Sequence, residues 1–234
     1  MKNNKIKAVF FDLFFTLIVP VYSSGRNEYD VLGITADEWE KYAEDNVLYK
    51  KRALGKITDE KEIIEEIINI MPYDVNQEQK DEILCLRHKR MRQALQRVDA
   101  KIIRAISEIH NQGIKIGLIS NADKIDRKSW EESPLSKFFD DAVFSCDVGY
   151  LKPDVAIYKL AMKRMNVGEG EAVFVGDGGS DELTGAKNSG MITVFTEYLE
   201  KKEESVKNKI MEEAAYHIEG FEELLTIVKQ YTEL

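Results

Sequence analysis

Residues 5–15, KIKAVFFDLFF, form a near-continuous apolar run rich in Val, Ile and Phe, broken by one acid, Asp12. A half-exposed element would alternate polar and apolar residues, so this run reads as a strand covered on both faces, as in a parallel sheet. Comparable short runs recur: IKIGLIS at 114–120, DAVFS at 141–145, EAVFVG at 171–176 and MITVF at 191–195. The stretches between them carry helical periodicity, and strands alternating with helices place the chain in the α/β class. A helix is predicted to open at Pro153, a favoured first helical position, with Ile157, Leu160, Ala161 and Met165 on the face toward the sheet.

Several function classes are excluded early. The 234 residues hold 33 Lys+Arg against 42 Asp+Glu, a formal net charge of -9. That balance argues against broad binding to a phosphate backbone, so nucleic acid is not the expected partner. With 44% apolar and 32% charged residues, the chain has material for a sizeable core, as one large domain or two smaller ones. The longest uncharged stretch, 13–25, falls well short of the roughly 20 apolar residues of a spanning helix, and Pro20 interrupts it; no membrane segment is expected. Lys2, Lys5 and Lys7 ahead of an apolar run have the outline of a signal peptide, but Asp12 lies inside the run and no small-residue cleavage site follows. Cys85 and Cys146 are far apart and outside any CxxC pattern, which supports neither a disulfide framework nor a zinc site and points to a reducing cytoplasm.

The first and second strands are separated by roughly 95 residues, against the dozen or so that a crossover requires. Nearly all of them read as helix, so a helical domain is inserted there. Thr35 and Glu38 form a capping-box pattern, Thr58 precedes a run whose Ile63, Ile64, Ile67 and Ile68 make an apolar stripe, and Pro72 ends that helix. A third helix is predicted over 77–96, and a fourth from about Asp99 to Asn111, stopped by Gly113, returns to the sheet. The predicted division is 1–17 and 98–234 for the sheet domain and 18–97 for the helical insertion. Trp39, Tyr42 and Tyr49 are expected to pack between helices.

In an open parallel sheet, ligands bind at the carboxyl ends of the strands. The first strand ends with Asp12 and Thr16, the second with Ser120 and Asn121; Lys152 precedes Pro153, and the fourth strand ends in GDGGSDE, with Asp177 and Asp181. Together these are a carboxylate able to attack or to bind metal, a hydroxyl and an amide, a fixed cation and two further carboxylates. That set equips a site for phosphoryl transfer with magnesium (Mg2+). Taken alone, Asp181 after Ser180 reads equally well as an acid in the first turn of a helix. GDGG is not a P-loop, since no Gly-Lys-Ser/Thr follows.

These segments resemble the haloacid dehalogenase superfamily over nearly the whole chain. FFDLFFTL resembles its first motif, usually DxDxT; LISN resembles the second, Lys152 in GYLKPD the third, and VGDGGSDELTGAKNSGM the fourth. The helical insertion directly after the first motif is similar to one class of the family's cap domains. The resemblance implies an α/β fold with a Rossmann-like parallel sheet, helices on both faces and an inserted α-helical cap. It also implies a hydrolase in which Asp12 attacks phosphorus to give an aspartyl-phosphate. Asp12, the backbone carbonyl of Phe14 and Asp177 would bind magnesium, with Asp181 holding a coordinated water or Lys152. Ser120, Thr16, Asn121 and Lys152 would contact a small phosphorylated or otherwise anionic substrate, Lys152 also restraining Asp12.

The pattern departs from the family at two positions. The residue two after the nucleophile, usually an Asp that protonates the leaving group and later activates water, is Phe14. General acid–base catalysis is worth about 10²- to 10⁴-fold, so ordinary phosphate esters should be poor substrates. The usual Gly that follows is Phe15, whose bulk bears on the local turn and on access to Asp12. Three activities fit Phe14: a phosphohydrolase whose leaving group needs little protonation, such as an acyl phosphate; a 2-haloacid dehalogenase, whose relatives carry an aromatic residue here but lack Gly176 and Asp177; or a catalytically degenerate binding protein. In the insertion, Arg87, His88, Lys89, Arg90 and Arg92 read as a solvated helix face, with an anionic substrate as the alternative, and Arg26 and Arg52 read likewise. His88, His110 and His217 lack metal-ligand spacing, and no feature fixes an oligomeric state.

Overall fold

A computed structural model describes residues 5–232 of the chain. The predicted strands appear as β1 (Ala8–Phe11), β2 (Lys115–Ser120), β3 (Asp141–Phe144), β4 (Ala172–Gly176) and β5 (Ile192–Thr196), with a sixth, β6 (Tyr216–Ile218). They form one sheet of order β3-β2-β1-β4-β5-β6 in which every pair is parallel. The central β1 is buried on both faces because successive side chains point to opposite sides. Val9 and Phe11 pack with Ile102, Ile106 and Leu224 of helices on one face, and Ala8 and Phe10 with Ile157, Ala161 and Leu183 of helices on the other. Helices on both faces of an all-parallel sheet make the Rossmann-like α/β architecture expected.

Helices α1 (Ala36–Ala43), α2 (Asn46–Ala53), α3 (Glu60–Asn69) and α4 (Gln77–Gln96) lie between β1 and β2. They have their own apolar centre, in which Trp39, Leu48, Ile63, Ile67 and Ile83 are buried, joined by Ile125 from the sheet side. Thr35 caps α1 by accepting from the Glu38 backbone N–H at 3.2 Å. The start of α3 differs from expectation: Asp59, not Thr58, accepts from Lys61 and Glu62 N–H. A carboxylate at that place also complements the positive helix end. The ends of the insertion are continuous with the sheet domain, since Ile18, Ala94 and Leu95 belong to the same cluster as Val9 and Phe11.

Beyond the insertion, α5 (Ala100–Asn111) is capped by Asp99 and followed by Gly113 at φ 78°. Short helices α6 (Lys124–Arg127) and α7 (Ser145–Val148) follow β2 and β3. The next, α8 (Val155–Arg164), is capped by Asp154, which accepts from the Ala156 N–H at 2.9 Å, so Pro153 lies before the helix and not at its first position. Its buried face is Ile157, Tyr158, Ala161 and Met162; Leu160 is only half-buried. Helices α9 (Glu182–Asn188), α10 (Glu204–Met211) and α11 (Phe221–Thr232) complete the chain.

Candidate active site

The carboxyl ends of β1, β2 and β4 lie side by side in the middle of the sheet, which brings their terminal residues together. Asp12 follows β1 directly and its backbone N–H donates to the Val175 carbonyl at 2.9 Å, tying it to β4. Its carboxylate is almost wholly buried; one oxygen accepts from the Thr16 hydroxyl at 3.1 Å and the other from the Lys152 ammonium. Lys152 reaches between Asp12 and Glu182 and donates to both. Asn121 fixes the lysine's backbone: its Oδ1 accepts from the Lys152 N–H at 2.8 Å and its Nδ2 donates to the Lys152 carbonyl at 3.2 Å. Ser120 ends β2, and its Oγ is buried without a hydrogen-bond partner among the described residues. An unmet buried hydroxyl is costly unless a ligand satisfies it.

Asp12, Asp177 and Glu182 each offer an oxygen within 4.8 Å of the other two, and all three are buried. Burial pushes the Asp12 carboxyl above the usual range, with Lys152 opposing and Asp177 reinforcing the shift. Glu182 is pushed higher still, by burial first and then by Asp12 and Asp177. Burial works against the Lys152 charge, yet the two carboxylates hold its pKa well above normal. Lys202, on the segment after β5, donates to Asp177 at 2.6 Å. Three close, buried, oxygen-only groups, with Lys152 between two of them and Lys202 on the third, are suited to a hard divalent cation, and magnesium takes few protein ligands and keeps waters.

Asp181 does not join this group. It is exposed, at φ 52°, and follows Ser180 at φ 53°. Two consecutive left-handed residues delay the start of α9, so its first residue, Glu182, faces the sheet where the sequence had pointed to Asp181. Gly176 makes the room: a Cβ there would lie 2.1 Å from Glu182 Oε1. The available signal was the face Glu182, Gly185, Ala186 and Ser189, spaced for one buried side of a helix and all buried. Thr16 and Asn121, expected at the substrate, have their side chains engaged with Asp12 and with Lys152.

A cavity of about 400 Å³ opens over Asp12, Lys152, Asp177 and Glu182. Phe14 and Phe15 line it, as do Glu40, Glu44, Tyr49 and Arg90 of the insertion. Phe15 keeps the turn expected of glycine, at φ 59°, with its N–H donating to the Ile18 carbonyl at 2.7 Å. Tyr49 is thus a cavity residue rather than helix packing alone. The arginine cluster divides. Arg92 is solvated, but Arg87 is buried against Asp123 and Asp126 at 2.8 and 3.0 Å, and Arg52 joins Asp123 at 2.9 Å. Arg90 pairs with the buried Glu28 at 2.8 Å. His217, expected to stand alone, lies 2.9 Å from Glu197.

A family model for haloacid dehalogenase-like hydrolases matches residues 6–190. The chain belongs to that family. Among curated relatives, a glyceraldehyde 3-phosphate phosphatase of Methanocaldococcus jannaschii is 34% identical over 139 residues, 58% of this chain and 58% of the relative. The chain thus spans a little over half of that relative's length. Among solved structures, the 2-haloacid dehalogenase of Pseudomonas syringae pv. Tomato DC3000 aligns with TM-score 0.66 at 20% identity, covering 97% of this chain and 99% of that one. A family enzyme of Bacteroides thetaiotaomicron, in complex with magnesium and inorganic phosphate, aligns with TM-score 0.62 at 18% identity, covering 82% of this chain and 94% of that one. At these identities the structural matches establish the fold. No helix among the described residues is long and apolar enough to cross a membrane.

Proposed function

We propose that this haloacid dehalogenase-like hydrolase is a magnesium-dependent phosphohydrolase acting on a small phosphorylated compound through an aspartyl-phosphate on Asp12. The observation that carries the reading is the triad of buried carboxylates Asp12, Asp177 and Glu182, with Lys152 bonded to the first and last, beside a Ser120 hydroxyl that has no hydrogen-bond partner among the described residues. Asp12 and Thr16 meet through the carboxylate oxygen that Lys152 does not take, which holds the nucleophile in one orientation. Lys152 offsets charge on the transferring group, and Ser120 donates to one of its oxygens. Asp12, Asp177, Glu182 and the Phe14 carbonyl would hold the magnesium ion, which supplies electrostatic stabilisation of the phosphoryl oxygens when bound. The names of the M. jannaschii relative and the phosphate-bound neighbour support a phosphorylated substrate.

Phe14 presents a ring where acid–base chemistry would need a carboxyl. The leaving group therefore departs best without a proton, as an acyl phosphate does, and water attacks the phosphorylated Asp12 slowly. Residues 18–97 act as the cap over the site, and the free Cys85 suits the cytoplasm. A 2-haloacid dehalogenase is less well supported, because that branch works without metal and differs at Gly176 and Asp177, and without a cation the buried carboxylates beside Asp12 would repel the acid group of such a substrate. The test is intact-protein mass spectrometry after incubation with acetyl phosphate, with and without magnesium, for wild type and Asp12→Asn. A magnesium-dependent phosphate adduct absent from the variant is expected. The absence of both the adduct and Asp12-dependent phosphate release would overturn the reading.

A further inference from the structure

The part of the cavity wall contributed by the insertion carries more acid, Glu40 and Glu44, than base, Arg90. Its cations are already matched inside the protein. Arg90 pairs with Glu28 and donates to the Pro20 carbonyl at 3.1 Å, with its guanidinium 4.6 Å from the centre of the Tyr22 ring. Arg87 and Arg52 pair with Asp123 and Asp126. On the sheet side, Lys202 is held between Asp177 and Glu200. What is left in excess is Glu40 and Glu44, both lining the cavity; Glu40 also accepts from the Tyr22 hydroxyl, and Glu44, whose carboxyl pKa is pushed up by burial against the pull of Arg52, accepts from Arg52 at 3.0 Å.

Resting on the phosphohydrolase reading, we propose that the site selects phosphorylated compounds whose end away from phosphate presents hydroxyl or ammonium groups to Glu40 and Glu44 and bears no second anion. Carboxylates accept hydrogen bonds from such groups without rearrangement. A substrate carboxylate would meet like charge there, with no unpaired cation on that wall to take it. The unmatched charge of the wall thus sorts substrates of one size by the sign of the end away from phosphate.

The experiment compares glycerol 3-phosphate with 3-phosphoglycerate, which share a three-carbon frame and differ in the terminal carboxylate. Binding to the Asp12→Asn chain is measured by calorimetry at fixed magnesium, so the result does not depend on turnover. Like-charge contacts in a cavity of intermediate dielectric predict at least about tenfold tighter binding of glycerol 3-phosphate. The double variant Glu40→Gln/Glu44→Gln should lose most of that ratio. Equal or tighter binding of 3-phosphoglycerate, or an unchanged ratio in the double variant, would overturn the proposal. Asp12-dependent phosphate release from acetyl phosphate is followed in parallel. Its absence would count against the hydrolase chemistry and leave the binding comparison standing.

Discussion

Replacing Arg87 with methionine tests whether the insertion is fastened to the sheet domain by buried charge. The guanidinium is 2% exposed and lies 2.8 Å from Asp123 and 3.0 Å from Asp126, which follow β2. Removing it leaves two buried carboxylates with only Arg52 nearby, and breaking a buried pair in this way costs about 3–5 kcal/mol. For a chain of this size each kcal/mol lowers Tm by about 2–4 °C, which predicts a fall on the order of 10 °C. The loss also has a pH signature. In wild type Asp126 is held below its ordinary range by Arg87 and Arg52 against the effect of burial, so its contribution is lost only as pH falls through that low value, while burial keeps Asp123 above its ordinary range even with Arg87 beside it. In the variant the carboxylates raise each other's folded-state pKa, and the resulting penalty is relieved as pH falls. The gap between wild type and Arg87→Met in urea midpoints should therefore be large near about pH 7 and narrower near about pH 5. Arg92→Met is the control, because its 2.6 Å pair with Glu132 is largely solvated and such pairs contribute about 0–1 kcal/mol. A loss below about 1 kcal/mol for Arg87→Met, or a gap that widens on acidification, would refute the reasoning.

Two further outcomes concern the site itself. Gly176→Ala places a methyl group 2.1 Å from Glu182 Oε1, so Glu182 must swing away from Lys152. Magnesium affinity measured by calorimetry should drop by about tenfold or more, and an unchanged affinity would remove Glu182 from the metal set. Phe14→Asp places a carboxyl where acid–base chemistry would need one, and hydrolysis of an alkyl phosphate such as glycerol 3-phosphate, whose alkoxide needs a proton to leave, should rise by about 10²- to 10⁴-fold; no gain would mean that proton transfer does not limit this site.

The sheet was legible because β1, β2, β4 and β5 are covered on both faces, which leaves apolar runs that no amphipathic helix would produce. β6 escaped because it has three residues, Tyr216, His217 and Ile218, and the first two are only half-buried at the edge. Asp154 and Asp59 displaced Pro153 and Thr58 as helix starts for one reason: a short carboxylate satisfies free N–H groups and meets the positive helix end, whereas Pro only tolerates the first turn. Arg87 and Arg92 look alike in a charged helical run. Only the fold, which brings in Asp123 and Asp126 from beyond β2, separates a buried anchor from a solvated side chain.

The candidate site was legible in its placement to the extent that its residues sit directly on strand ends. Asp12, Ser120 and Asp177 need no more than strand order to converge. Glu182 needed the conformation of the residues before it, because Ser180 and Asp181 both adopt a left-handed backbone that side chains other than glycine's rarely announce. That strained entry to α9 points the second residue of an Asp-Glu pair inward and leaves the first in solvent. Holding non-glycine residues there costs of order 1–3 kcal/mol each, and such strain persists only where surrounding contacts over-determine it. Here those contacts are Glu182 with Lys152 and with the Gly178 N–H at 3.1 Å, so the same two interactions that fix the loop also complete the carboxylate triad over the sheet.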